Sequence, residues 1–108
     1  MTLTIRTIDE NQIVTLVLQG DVDTKTAPEL LEVLTTLKLK ELSELKIDLA
    51  EVNFMSSAGL RALVFAKQKM NHDSIVSVVN PNDEIKDIII KTGLSNAVSF
   101  INTSNKTH

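Results

Sequence analysis

Ser56 and Ser57 lie side by side in the stretch Asn53-Phe54-Met55-Ser56-Ser57-Ala58-Gly59-Leu60, and their hydroxyls are the groups most suited to chemistry in this chain. An alternating apolar segment (Leu45, Ile47, Leu49) precedes them, and a run at helical spacing (Leu60, Leu63, Val64, Lys67) follows. The serines therefore fall at a strand-to-helix junction, where the first backbone N–H groups of a helix have no internal partner. That helix end carries partial positive charge and favours an anion. A phosphate on a serine there is compatible with the fold, yet it changes the charge seen by a partner. Serine is also a preferred N-cap, so a purely structural role for either residue stands beside the chemical one.

Other groups offer less. Only two histidines are present, His72 in a polar turn and His108 at the chain end, and no Ser-His-Asp set assembles from this pattern. Gly20, Gly59 and Gly93 are too dispersed for a phosphate-cradling loop. Cysteine is absent, which removes disulfides, thiol catalysis and thiolate metal sites. The sequence thus predicts no enzyme, no cofactor and no metal. Asp21 and Asp23 stand two apart at a strand end, with Asp48 in the next strand; strand C-termini of an open parallel sheet are where ligands gather. Asp23 is equally readable as a turn residue before a helix. A phospho-aspartate receiver domain ranks below a serine-based reading, because seven residues separate Asp48 from Ser56 and the chain is short of helices for that fold. Phe54 and Met55 fit neither strand nor helix period, so each is either a plug over the core or an apolar anchor for a partner.

Composition sets the frame. A chain of 108 residues holds one core. With 43% hydrophobic and 23% charged residues it reads as a soluble globular domain. Three Phe and no Trp or Tyr leave an aliphatic interior. A net charge of -3 speaks against nucleic acid as a partner. No apolar run reaches the roughly 18 residues of a membrane span, and residues 1–6 lack the apolar segment of a signal peptide. These features predict a cytoplasmic protein with no membrane insertion.

The elements follow from periodicity. Leu3, Ile5, Thr7 and then Ile13, Thr15, Val17 alternate as strands, with Asp9-Glu10-Asn11 as the hairpin turn. Thr26-Ala27-Pro28-Glu29 reads as a capping box for a helix over 27–39. A strand over 45–49, a helix over 57–70 and a buried strand over 75–79 come next. Asn80-Pro81-Asn82-Asp83 opens a third helix through 91, closed by Gly93, and 98–101 gives a last strand. The order β-β-α-β-α-β-α-β predicts a single α/β domain with a mostly parallel sheet and an antiparallel edge strand. The domain is expected to span 1–101, with 102–108 a polar tail.

Val17-Leu18-Gln19-Gly20-Asp21-Val22-Asp23, Ala27-Pro28-Glu29-Leu30 and the stretch from Ile47 through the serine loop to Leu60 together resemble the STAS domain of bacterial anti-sigma-factor antagonists. In that family the loop commonly reads Asp-Ser-Ser-Gly-Leu or Asp-Ser-Thr-Gly-Leu, and the first serine is phosphorylated by an anti-sigma kinase. Laid on this chain, the acceptor is Ser57 (Ser56 being the lesser candidate), Ser56 replaces the aspartate, and Ala58 replaces the second hydroxyl. Gly59 and Leu60 match. The resemblance implies a partner surface made of Asp21, Asp23, Phe54, Met55, Ser56, Ala58, Gly59, Leu60 and Arg61. It implies two partners: a serine kinase of the ATPase-type nucleotide fold, which otherwise holds a sigma factor, and a PP2C-type phosphatase. The departures at Ser56 and Ala58 motivate an alternative, a non-switching STAS scaffold subunit of a transporter or signalling assembly.

Overall fold

The computed structural model describes residues 3–103; the expected tail from residue 104 onward lies outside the described residues. The alternating segments form β1 (Thr4–Glu10) and β2 (Ile13–Gln19), paired antiparallel from Thr4↔Gln19 to Glu10↔Ile13. Asp9 and Glu10, expected in the turn, belong to the strand. The turn shrinks to Asn11 and Gln12 because Asn11 takes a positive φ of 59°, a conformation asparagine tolerates.

Three helix-strand units follow: α1 (Ala27–Thr36), β3 (Glu44–Glu51), α2 (Ser57–Lys69), β4 (Ile75–Val79), α3 (Asp83–Lys91) and β5 (Ser99–Ile101). The sheet order is β1-β2-β3-β4-β5, with β2 through β5 parallel. Successive crossovers all move one strand in the same direction. Being right-handed, they place all three helices on one face. The core agrees: Leu16 and Leu18 of β2, Leu45 and Ile47 of β3 and Val76 and Val78 of β4 pack with Leu30, Leu34, Leu63, Ile85 and Ile89 in one cluster.

Among the described residues no helix covers the other face of the sheet, yet Ser77 and Val79 of β4 lie on it at 1% and 7% exposure, so the expected burial of β4 fails at its first residue alone. Ile75 points to that face at the start of the strand and stays 46% exposed. The helix ends are secured by side chains. Asn82 accepts from the Ile85 N–H at 2.8 Å to cap α3, and Gly93 follows its last turn with φ 83°. The capping box expected at Thr26 forms one turn earlier instead. Asp23 Oδ1 accepts from the Thr26 N–H (3.0 Å), and Thr26 Oγ1 accepts from the Asp23 N–H (2.9 Å). Thr26 is itself in helical conformation, so its hydroxyl cannot reach forward to cap α1.

Candidate functional site

The site is assembled where the segment after β2 meets the segment after β3. The Val22 N–H donates to the Phe54 carbonyl (2.9 Å), and the Ser56 N–H donates to the Val22 carbonyl (2.7 Å). These two bonds make Val22 and Met55 an isolated parallel bridge beyond the strand ends. Both side chains are interior, Val22 at 0% and Met55 at 1% exposure. Alternation about Met55 then turns Phe54 outward, 45% exposed. Of the two out-of-pattern residues, Met55 is the plug and Phe54 the surface group.

Gly59 locks the helix onto this bridge. A Cβ there would sit 2.7 Å from Met55 Cγ and 2.7 Å from Val22 Cγ1, inside van der Waals contact. Only glycine lets the first turn of α2 come this close. Leu60 is buried beside it. Met55, Gly59 and Leu60, expected on the partner surface, are buried beneath the loop.

The two serines separate cleanly. Ser56 is the N-cap of α2, with extended backbone and its Oγ accepting from the Ala58 N–H at 3.2 Å. Ser57 is the first helical residue and is exposed. Among the described residues its hydroxyl has no hydrogen-bond partner. One hydroxyl is engaged in holding the helix, and the other is exposed and unpaired among the described residues.

Asp21 and Asp23 are half-buried on either side of Val22 and so are tied to the serine loop through the bridge. The Thr26 hydroxyl donates to the Asp21 carbonyl at 2.8 Å. The Asp23 carboxyl is held below its usual range by the Thr26 N–H and then the Lys25 N–H, which both donate to it. Asp48 does not join them. It alternates with the buried Ile47 and Leu49 and faces the helix-free side of the sheet, its Oδ1 accepting from the Ala50 N–H. Among the described residues no three His, Cys, Asp or Glu gather as a metal ion needs.

Beside Ser57 a groove of about 290 Å³ runs between α1 and α2, walled by Ala27, Pro28, Leu31, Ala58, Arg61 and Phe65, with Thr24 at its end. Sequence reasoning missed this groove, as it missed the bridge at Val22 and the bond from Thr26 to Asp21. Val22 carried one signal, an apolar residue between two acids where a turn was expected. Thr26 carried a cap signal but none for its burial or its bond to the Asp21 carbonyl, which come from packing.

A sequence model of the STAS domain matches residues 4–107. The chain belongs to the STAS-domain family. Among its relatives, the anti-sigma-B factor antagonist of Listeria monocytogenes is 34% identical over 84 residues, 77% of this chain and 74% of that protein. The anti-sigma-B factor antagonist of Staphylococcus epidermidis is 30% identical over 95 residues, 87% and 88% of the two chains. The crystal structure of an anti-sigma factor antagonist from Mycobacterium paratuberculosis superposes with a TM-score of 0.82 at 25% identity, covering 92% of this chain and 85% of that one. The surface that this STAS domain presents around its serine loop includes Phe54, Ser57 and Arg61, with Asp21, Asp23, Ser56 and Ala58 partly exposed. Among the described residues no helix is long and apolar enough to cross a membrane.

Proposed function

We propose that this STAS domain is an anti-sigma-factor antagonist whose binding is controlled by phosphorylation of Ser57. In the unmodified state it docks on an anti-sigma kinase of the ATPase-type nucleotide fold and frees a sigma factor. The kinase transfers the γ-phosphoryl group of ATP to Ser57 Oγ; the hydroxyl proton leaves, ADP departs and the antagonist is released. A PP2C-type phosphatase hydrolyses the phosphoserine and resets the cycle.

The observation that carries this reading is the free, exposed hydroxyl of Ser57 at the start of α2, next to a serine already engaged as the cap. A phosphate there adds about -1.5 to -2 charges amid Phe54, Arg61 and the two aspartates without entering the core. The names of the relatives support the antagonist role. Incubation with the cognate anti-sigma kinase and ATP, followed by mass-spectrometric mapping, tests it. Phosphate on Ser57 alone is the expected result; phosphate elsewhere, or none, overturns it.

A further inference from the structure

Ser57 and Arg61 are four residues apart in α2, so their side chains occupy neighbouring positions on one helix face, about 5–6 Å apart at Cβ. Long helical side chains lean toward the preceding turn, which here is the turn of Ser57 and Ala58. Arg61 lines the groove together with Ala58, Thr24 and Phe65.

The cations of α2 are not equivalent. The helix carries Arg61, Lys67 and Lys69 and no acid. Lys67 Nζ donates to the Ser74 carbonyl at 2.8 Å. Lys69 Nζ lies over the Phe65 ring, 5.6 Å from its centre. Arg61 has neither kind of partner: the one ion pair among the described residues joins Lys91 to Asp87. The Asp23 carboxylate receives two backbone N–H groups of its own turn. An exposed guanidinium is thus left free one turn from the free serine.

We infer that Arg61 is the built-in counter-charge for a phosphate on Ser57, folding back to pair with it. Guanidinium groups suit phosphate because two N–H donors meet two oxygens. Modification would then alter the docking face twice: it adds the phosphate's negative charge and withdraws a positive charge that the unmodified protein presents to its partner. The inference rests on Ser57 being the modified residue.

Phosphoserine installed at position 57 during translation, with a suppressor tRNA, permits a test that needs no kinase. The second ionisation of the phosphate is titrated by phosphorus NMR in the otherwise wild-type protein, in Arg61→Gln and in Arg61→Lys. A paired guanidinium favours the dianion, so Arg61→Gln raises the phosphate pKa by about 0.2–0.4, Arg61→Lys raises it less, and added salt narrows the gap. The helix terminus acts equally on all three forms and cancels. Identical titrations overturn the pairing. Mapping by the kinase tests the choice of Ser57 separately, so either result can fail without the other.

Discussion

Ser56 and Ser57 are chemically identical and structurally opposite, and single substitutions should expose the difference. Ser56→Ala removes the side chain that caps α2 and should cost about 1 kcal/mol of stability, read as a lower midpoint in urea. Ser57→Ala removes a hydroxyl with no partner among the described residues and should stay within about 0.5 kcal/mol of wild type. The reverse ranking would mean that the cap is misassigned. The sequence placed both serines at the junction correctly, since strand and helix periods meet there. It did not separate them, because which hydroxyl caps depends on the dihedral angles at the junction. Phe54 and Met55 illustrate the same limit: they are adjacent and both apolar, and only the bridge to Val22 decides which one enters the core.

At the scale of elements, the site is a junction between two loops that hydrogen bonds make into an extension of the sheet. Gly59→Ala places a methyl carbon 2.7 Å from both members of the bridge. It should destabilise by about 1–3 kcal/mol, the usual range for overpacking. Val22→Ala in the same chain should recover part of that loss, a non-additivity expected of residues in contact. Strictly additive effects would contradict the close approach. The turn before α1 responds to pH. Asp23 is held ionised by the Thr26 and Lys25 N–H groups, so its folded-state pKa lies below its unfolded one. Its stabilising contribution is complete above the unfolded value and is lost as pH falls through the folded value. The stability difference between wild type and Asp23→Asn should be constant from pH 7 to 5 and shrink below about pH 4. A difference unchanged down to pH 3 would show that the carboxylate's charge plays no part. Element order was legible because alternation, cap residues and Gly93 are local signals. The shifted capping pair at Asp23 and Thr26 was not, since Thr26 followed by Pro28 and Glu29 suits either placement.

At the scale of the molecule, the three α-helices of the described residues cover one face of the sheet, and the serine loop lies at the C-terminal ends of β2 and β3. The sequence predicted the mostly parallel sheet and the antiparallel β1. It missed the exposure of Ile75, because a β-branched residue at the start of an otherwise buried run carries no local sign of where the cover ends. A loop bridged to its neighbour on such a scaffold argues for control by surface charge rather than by reshaping of the fold. The central claim is that phosphate on Ser57 blocks docking, and calorimetric titration of the anti-sigma kinase with unmodified and Ser57-phosphorylated protein tests it most directly. The modified form should bind at least tenfold more weakly, about 1.4 kcal/mol, with the gap narrowing as salt screens exposed charge. Equal affinities for the two forms would contradict the account.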